Sequence, residues 1–482
     1  KARQFALTPS MGTLRPCPED SVDWDTTKNL MIEGDNLEVL KLLQSYYNGV
    51  VEIIYIDPPY NTGKDFVYPD NYKNSISNYL EITSQIAGGS KLNSNTESSG
   101  RFHTDWLNMM YPRLLLSYKL LHKKGVIFIS INDTELHNLL LLCDNVFGKE
   151  NFVEVFTVRS NPRGNQAKKY VASEHDYIVC YAKDIDSIQP LGFQSDATDY
   201  NKTDEHGRYR EIGLRKRGAG ARRIDAPNQY YPIYYDEASD KISVKQFPGS
   251  ISIYPYLSDG SEGRWRWADK TVEENVQKLL VRKVRRGDNY EYDIFEKDYY
   301  TDEKITKIKS IFYEKEVNYE NATEDINILL APKVFSYPKP VYTIQKIIGS
   351  VYTKDAIVLD FFAGSGTSGH ATMLQNALDG GKRRFILVQL PEPLNPSNIE
   401  QKQAVEFCDG INKPRYLTEI TKERLRRAGK KIIEKFPEFT GDTGFRVFKL
   451  DSSNIKAWDP SVLNIEGTIE HYIEPIKPDR SE

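Results

Sequence analysis

The fold is decided by Val50–Tyr60, which reads VVEIIYIDPPY. Its apolar run is rich in β-branched residues and is stopped by Asp57-Pro58-Pro59, a pattern that predicts a strand buried on both faces. Open parallel sheets bind their ligands at the carboxyl ends of such strands. We therefore predict that Asp57 and Tyr60 stand at a ligand site.

The segments on both sides of this strand alternate between strand and helix patterns, as is typical of an α/β sheet. Apolar periodicity and turn residues predict a strand at 30–32, a helix from about 37, a helix at 106–122, a strand at 125–131, a strand at 356–361, a helix at 367–377, a strand at 385–390 and a helix at 418–434. The sequence thus predicts the α/β class, with a doubly wound, mostly parallel, Rossmann-like sheet.

The middle of the chain interrupts this alternation. Residues 153–330 are rich in Tyr, Arg, Asn and Gly, and they predict a separate, inserted α+β module. This module divides the sheet domain into an N-terminal part at 1–152 and a C-terminal part at 331–450, which leaves 451–482 as an extension. A polar stretch at 84–100 predicts a loop.

Composition restricts the class of protein. The 482 residues suffice for about two or three domains, and they contain neither a membrane-length apolar run nor an N-terminal leader. Four scattered cysteines without CxxC spacing argue against a disulfide framework and a zinc site, and the histidines show no ligand spacing, so we predict no catalytic metal. The net charge is −4, yet positive charge collects in the middle third, which predicts one basic face. We expect a cytoplasmic protein without a membrane partner.

The tetrapeptide at 57–60 has the groups needed to activate an exocyclic amine of a base. The lone pair of such an amine is delocalised into the ring, and a carboxylate (Asp57) and a carbonyl (Pro58) that accept its two hydrogen bonds would free it to attack a methyl sulfonium. Pro58 and Pro59 fix the backbone and remove competing N–H donors. Tyr60 offers a ring on which a base extruded from the duplex can stack. The alternative is a sharp turn that merely ends the strand.

A second motif, Asp360–Thr367, reads DFFAGSGT and lies between a predicted strand and a predicted helix. Its glycines let the backbone approach a ligand closely, and the helix N-terminus favours negative charge. The chain lacks the third glycine of the dinucleotide fingerprint, and it has no P-loop motif for ATP. Gly364 and Asp57 are about 300 residues apart in sequence, but both follow predicted central strands and are expected to face each other.

The order of the motifs resembles the β class of amino-methyltransferases, in which the catalytic motif comes first, a recognition domain follows, and the FxGxGT motif comes last. Members of that class have a circularly permuted methyltransferase sheet with an inserted target-recognition domain. Longer segments resemble the modification subunits of type III restriction-modification systems, and this resemblance covers the chain from about Leu14 to its end. The segments are Ile32–Leu40, Ile54–Gly63, Gly100–Leu114 and Arg222–Asn228.

The resemblance implies site-specific transfer of a methyl group from S-adenosylmethionine to N6 of adenine in duplex DNA, with base flipping. The implied catalytic residues are Asp57, Pro58, Pro59 and Tyr60. The implied cofactor-binding residues are Asp35, Asn36, Lys339, Pro340, Asp360, Phe362, Gly364, Ser365, Gly366, Thr367 and Gln389, with Glu392 as an alternative to Gln389.

Basic residues of the middle third are expected to contact the DNA, because arginine neutralises phosphate and pairs with guanine. They are Arg163, Arg215, Lys216, Arg217, Arg222, Arg223, Arg264 and Arg266. The alternative for each is a solvated surface loop.

The resemblance also implies partners, namely double-stranded DNA, a second copy in a homodimer, and a separate restriction subunit that carries the ATPase and the nuclease. Family members usually extend beyond both ends of this sequence, so we expect the chain to be trimmed. Its place would be the prokaryotic cytoplasm, associated with the nucleoid through DNA. Three alternatives stay open: methylation of cytosine N4, for which a serine in place of Asp57 is usual; a specificity subunit that targets a nuclease without catalysis; and RNA as the substrate.

Overall fold

The computed structural model describes residues 2–62, 101–164, 170–286, 289–301 and 303–453. The predicted loop at 84–100 and most of the predicted extension, from residue 454 onward, lie outside these residues. The chain divides into two compact units, of which one is formed by Lys1–Phe193 with Lys307–Glu482 and the other by Gln194–Thr306. Among the helices of the described residues, none combines the length and the hydropathy that crossing a membrane requires.

Strands and helices alternate through the first unit, whereas strands predominate in the second. The strands are β1 (Gly12–Pro16), β2 (Leu30–Glu33), β3 (Val51–Ile56), β4 (Leu121–Ile131), β5 (Phe152–Val158), β6 (Asp176–Ala182), β7 (Gly192–Gln194), β8 (Lys202–Asp204), β9 (Gly207–Gly213), β10 (Ile233–Asp236), β11 (Lys241–Ser243), β12 (Ile251–Ile253), β13 (Leu279–Arg286), β14 (Asn289–Tyr299), β15 (Ile305–Lys307), β16 (Ile311–Phe312), β17 (Ile357–Asp360), β18 (Arg384–Gln389) and β19 (Arg446–Ser452). The α-helices are α1 (Ala2–Leu7), α2 (Asn36–Tyr47), α3 (Phe102–Leu120), α4 (Leu136–Phe147), α5 (Asp269–Glu274), α6 (Tyr319–Leu329), α7 (Val341–Ser350), α8 (Thr367–Asp379), α9 (Lys402–Gly410) and α10 (Leu417–Lys435).

The first unit is built on a ten-stranded sheet in the order β1-β19-β2-β18-β17-β3-β4-β6-β5-β16. All neighbours from β19 to β4 are parallel, while β1 and β6 pair antiparallel with their neighbours. The predicted fold class, a mostly parallel α/β sheet, is confirmed.

Burial on both faces of the sheet explains the continuous apolar run at 53–56 in β3. Ile54 and Ile56 point into a core shared with helices α2, α3 and α4. Ile53 and Tyr55 point the other way, into a core shared with α7. Because successive residues of a strand alternate between faces, a strand covered by helices on both sides is apolar at almost every position. In β3 the exception is Glu52, whose carboxylate accepts a hydrogen bond from the Ile357 N–H at 2.8 Å.

The two central strands bring the distant motifs together. Strands β3 and β17 are parallel neighbours, with Ile53 opposite Val358 and Ile54 opposite Leu359. Asp57 directly follows β3, and Asp360 is the last residue of β17. Both therefore lie at the same edge of the sheet, although about 300 residues separate them in sequence.

The second unit, residues 194–306, consists mainly of two small antiparallel sheets. One has the order β11-β10-β12 and the other the order β13-β14-β9-β8. The fully buried Trp265 packs with Leu214, Ile233 and Ile294 in its core, and the Trp265 Nε1 atom donates a hydrogen bond to the Tyr231 carbonyl at 2.9 Å.

This unit is shorter than the predicted module at 153–330. Strands β5, β6 and β16 belong to the ten-stranded sheet, and α6 lies in the first unit as well. Strand β6 pairs antiparallel with both β4 and β5, and no helix lies between β5 and β6 among the described residues. The alternation of strands and helices thus ends before the sheet does.

Candidate active site

The backbone of the Asp57–Tyr60 segment is held by buried polar contacts. The indole nitrogen of Trp106, on α3, donates a hydrogen bond to the Pro59 carbonyl at 2.7 Å. Asn61 adopts a left-handed backbone conformation with a φ of 58°, and its buried amide donates to the Glu135 carboxylate at 2.5 Å. A turn with a strained residue and two buried anchors holds the residues before it in one geometry.

These residues open into a pocket of the first unit with a volume of about 700 Å³. Its lining combines the end of β3, the glycine turn after β17, and residues from β6, α6 and the loops around them. The lining residues are Asp57, Pro58, Pro59, Tyr60, Thr62, Asn132, Asp133, Ser160, Asn161, Ser173, His175, Asp176, Tyr319, Phe335, Tyr337, Lys339, Phe362, Gly364, Gln389, Glu392 and Leu417. All four predicted catalytic residues and four of the predicted cofactor residues thus share one cavity.

Asp57 faces a buried ammonium group. The Lys339 Nζ atom lies 3.3 Å from Asp57 Oδ1, and it donates hydrogen bonds to the hydroxyls of Tyr60 at 2.5 Å and Tyr319 at 2.9 Å. Burial raises the pKa of Asp57, and the charge of Lys339 opposes that rise. Lys339 itself has a raised pKa: burial lowers it, but the surrounding carboxylates and phenols more than compensate.

The glycine turn presents backbone to the other end of the pocket. Gly364 has a φ of 52° and Gly366 a φ of 84°, which favours glycine at both positions. The Asp360 carboxylate accepts hydrogen bonds from the Phe362 N–H, at 3.0 Å, and from the Ser368 hydroxyl, which fixes the turn. Burial raises the pKa of Asp360 to about 7.

Gln389, the last residue of β18, and Glu392, three residues later, complete this end of the pocket. The Gln389 Oε1 atom accepts a hydrogen bond from the Gly364 N–H at 2.7 Å, so the end of β18 is tied to the turn after β17. Glu392 also lines the pocket, and burial raises its pKa to about 7. Both candidates for holding the cofactor ribose are therefore present at the site.

Other predicted cofactor residues do not line the pocket but hold the backbone of nearby helix ends and turns. Asp35 caps α2 by accepting from the N–H groups of Leu37 and Glu38, and the buried Asn36 amide donates to the Phe361 carbonyl at 2.8 Å. Pro340 is the N-cap residue of α7.

Residues 365–367 of the glycine turn are buried as well. The guanidinium of the fully buried Arg424, on α10, donates to the hydroxyls of Ser365 and of Thr367, the latter at 2.6 Å. Among the described residues that line the pocket, Ser365, Gly366 and Thr367 do not occur.

Several pocket residues were not predicted from the sequence. Ser160, Asp176 and Tyr319 belong to the stretch assigned to the inserted module, and no motif marks them. In the structure, the Asp176 carboxylate accepts hydrogen bonds from the Ser160 hydroxyl at 2.9 Å and from the Tyr319 hydroxyl. The Asp176 carboxylate therefore lies in the same pocket as Asp57.

The predicted DNA-contacting residues fall into two groups. In the second unit, Arg215, Arg264 and Arg266 hold the fold: Arg264 donates to the Gly220 carbonyl at 2.5 Å, Arg266 pairs with Glu296, and the Arg215 side chain is only 12% exposed. The exposed members are Arg217, Arg222 and Arg223 in the second unit and Arg163 in the first, while Lys216 is half-buried.

Two of the exposed arginines have partners of their own. Arg223 pairs with Glu262 at 2.9 Å and stacks on the Tyr230 ring at 4.5 Å. Arg163 pairs with Glu320 at 3.2 Å. Both pairs are solvent-exposed and contribute little to stability, which leaves these side chains able to exchange partners.

An aspartate at the end of one parallel strand, beside a glycine turn at the end of the next and in one pocket with it, defines a Rossmann-like methyltransferase with the permuted motif order. The chain belongs to the DNA methylase family, whose model matches residues 51–390. This membership confirms the predicted DNA methyltransferase activity with S-adenosylmethionine as its cofactor, and adenine N6 methylation fits the family.

Named relatives agree with this family. The chain is 33% identical to the Type II methyltransferase M.KpnI of Klebsiella pneumoniae over 86% of this chain and 90% of that protein. It is 35% identical to the Type III restriction-modification enzyme EcoPI Mod subunit of Escherichia phage P1, over 84% of this chain and 62% of that protein. It is 31% identical to the Type III restriction-modification enzyme StyLTI Mod subunit of Salmonella typhimurium, over 87% of this chain and 60% of that protein. The resemblance to type III modification subunits is thus confirmed, and the chain spans about 60% of the length of these two subunits.

Proposed function

We propose that this chain methylates N6 of adenine at one specific DNA sequence and that Asp57, Pro58 and Tyr60 hold the target base. The observation that carries the proposal is the shared pocket, in which the Asp57 carboxylate and the Gly364 turn face one cavity of about 700 Å³. That volume lies within the range of sites for cofactors and small molecules. The Asp57 carboxylate and the Pro58 carbonyl accept hydrogen bonds from the two N6–H groups, which frees the nitrogen lone pair.

The cofactor fits the end of the pocket formed by Phe335, Phe362, Gly364, Gln389 and Glu392. The two rings offer apolar faces for the adenosyl group, and the Gln389 and Glu392 side chains offer acceptors for ribose hydroxyls. S-Adenosylmethionine supplies an activated methyl group there, and the chain contributes orientation and the exclusion of water. Asp35, Asn36 and Pro340 then act by supporting the turns rather than by touching the cofactor.

The target adenine must leave the duplex to enter this pocket, because its N6 atom is inaccessible within a stacked helix. Tyr60 lines the pocket next to Asp57, and its ring provides the stacking surface. Residues 194–306, with Arg217, Arg222 and Arg223 exposed, act as the target-recognition domain. Arg163, of the first unit, adds a phosphate contact.

The double substitution Arg222→Ala with Arg223→Ala should lower the affinity for cognate DNA by about 10-fold. It should also reduce the salt dependence of binding, because DNA that pairs with fewer arginines releases fewer counterions. The measurement is fluorescence anisotropy with a labelled duplex at several salt concentrations. The double substitution Lys241→Ala with Lys245→Ala is the matched control, since it removes two exposed positive charges of the same unit that belong to no predicted cluster. Equal reductions of affinity in both variants would mean that the effect comes from net charge and not from these two arginines.

Of two candidate systems for this methyltransferase, we favour a type III-like restriction-modification system. In it the chain is the modification subunit, forms a homodimer and assembles with a separate restriction subunit. This assignment is supported by the identity of 35% and 31% to two Mod subunits, over 84% and 87% of this chain. A stand-alone type II methyltransferase is the second candidate, favoured by the 90% coverage of M.KpnI. ATP-dependent DNA cleavage by material that co-purifies with the tagged chain from its native cells would support the first, and methylation without such cleavage would support the second.

The test of the proposed reaction is single-molecule sequencing of DNA from methylation-deficient cells that express this chain. We expect N6-methyladenine at one short motif and unmodified adenine elsewhere. N4-methylcytosine at a motif would contradict the assignment of the acceptor. Purified chain that binds S-adenosylmethionine but leaves DNA unmodified, alone and with its co-purifying partners, would support a targeting subunit instead.

A further inference from the structure

Lys339 lies between two carboxylates that come from distant parts of the chain. On one side its Nζ atom is 3.3 Å from Asp57 Oδ1. On the other side it donates to the Tyr319 hydroxyl at 2.9 Å, and that hydroxyl donates in turn to Asp176. The Lys339 side chain is 14% exposed, so the ammonium is largely shielded from water. A shielded cation in such a place acts on the ionisation and the orientation of whatever it touches.

The contacts of Lys339 point to the methyl-accepting end of the pocket. Its ammonium contacts Asp57, Tyr60 and Tyr319, and it lies over the rings of Tyr60 and Tyr319 at 4.5 and 4.9 Å. No contact joins its ammonium to Gly364 or Gln389 among the described residues. This placement differs from the cofactor-holding role that the resemblance implies for the lysine.

Asp57 needs a nearby cation if it is to accept hydrogen bonds. Burial favours the neutral carboxyl and raises its pKa, and the charge and hydrogen bonds of Lys339 and Tyr60 act in the opposite direction. A protonated Asp57 would present a donor on one oxygen, which competes with the N6 hydrogens of adenine. The titratable groups around it, from each neighbouring element, are Tyr55 on β3, Tyr60, Asp176 on β6, Tyr319 on α6, Lys339 before α7 and Asp360 on β17.

We propose that Lys339 is a positioning residue for methyl transfer, which keeps Asp57 ionised and directed at the acceptor amine, and that Tyr319 and Asp176 fix its ammonium in that place. This inference rests on the proposed function. The methyl group moves from the sulfonium sulfur to N6, S-adenosylhomocysteine is the leaving group, and the N6 proton passes along its hydrogen bond to the Asp57 carboxylate and from there to water. Lys339 stays protonated throughout and is not the base. Asp176 and Tyr319 are thereby assigned a role in the chemistry, although they belong to the stretch that the sequence assigned to recognition.

The test compares Lys339→Met and Lys339→Arg with the native chain in single-turnover methylation, at saturating DNA and S-adenosylmethionine, from about pH 5.5 to 9. A carboxylate whose pKa is raised is lost as an acceptor when the pH falls through that pKa. Removing the cation raises the pKa further, so the acid limb of the Lys339→Met profile should move to higher pH by one unit or more. The rate at pH 7 should fall by about 10-fold and recover at high pH. Lys339→Arg should restore most of the native profile.

The dissociation constants decide between the two roles of the lysine. We expect Lys339→Met to bind S-adenosylmethionine and DNA within about two-fold of the native chain. A rise of 10-fold or more in the cofactor dissociation constant, with the acid limb unmoved, would overturn the inference in favour of cofactor binding. Unchanged kinetics and unchanged binding would overturn it as well.

A milder variant covers the case in which Lys339→Met does not fold. Tyr319→Phe keeps the lysine and removes one hydrogen bond from its ammonium, so a smaller shift of the acid limb in the same direction is expected, and an unmoved limb counts against the proposal. A native chain that never methylates DNA would refute the proposed function, which is a different result from native methylation with an unmoved limb.

Discussion

Asp57→Ala is expected to lower the single-turnover rate of methyl transfer by about 1,000-fold or more, because the amine loses the carboxylate that frees its lone pair. The affinity for S-adenosylmethionine should stay within a few-fold, since Gly364, Gln389 and Glu392 lie at the other end of the pocket. The measurement is quenched-flow transfer of a labelled methyl group to a short duplex, with cofactor affinity from calorimetry.

Two further variants make the result specific. Asp57→Asn keeps the shape and one acceptor oxygen, so its rate should fall between the native rate and that of Asp57→Ala. Asp186→Ala removes an exposed carboxylate of the same unit and should have no effect. Residual activity above about a tenth of the native rate in Asp57→Ala would show that another group activates the amine.

The sequence predicted the central strands well because burial on both faces leaves a continuous apolar run. Strands β3, β17 and β18 lie within one residue of their predicted bounds. Strands β5 and β6 were not recognised, since they pair antiparallel at the far side of the sheet without a crossover helix. The extent of the sheet therefore depended on pairing between strands, which local patterns do not report.

The residues of the candidate site also divide into those that local sequence motifs predict and those that only the tertiary structure reveals. Asp57 and the Gly364 turn could be predicted, because each is a local motif with its own chemistry. Asp176 and Tyr319 could not, since their position beside Lys339 arises only when β6, α6 and the loop before α7 meet. Local motifs thus predicted two parts of the pocket lining, and only the tertiary structure showed which side chains surround Asp57.

Charge patterns predicted the arginines as a group and could not separate their roles. Arg266 pairs with Glu296 and donates to the Gly213 carbonyl at 3.1 Å, which ties two strands of the second unit together. Arg222, another arginine of the predicted DNA-contacting group, is exposed instead. A partner 30 residues away cannot be recognised from a cluster of like charges, so only the structure distinguishes a fold-stabilising arginine from one that is available to DNA.

Gly364→Ala is expected to raise the dissociation constant for S-adenosylmethionine on the order of 100-fold. Gly364 lines the pocket with a φ of 52°, and a Cβ there would point at the Phe335 ring, 3.5 Å from its nearest atom. The methyl group would thus occupy space between ring and backbone that the proposed function assigns to the cofactor. It would also strain the turn that places the Gly364 N–H on Gln389. Calorimetric titration of S-adenosylmethionine measures the change in affinity.

Gly380→Ala separates these two causes. Gly380 follows the same helix, α8, at its other end; its φ is 67°, and a Cβ there would meet no atom within 4 Å. Both alanines therefore carry the backbone strain of a left-handed conformation, which costs about 1 kcal/mol of stability, but only the one at 364 intrudes on the pocket. Similar melting temperatures, with the cofactor affinity lowered by about 100-fold in Gly364→Ala alone, would place the cofactor against the turn. Equal and small changes in affinity would mean that the cofactor lies elsewhere, and the proximity of Asp57 to the glycine turn would then need another explanation.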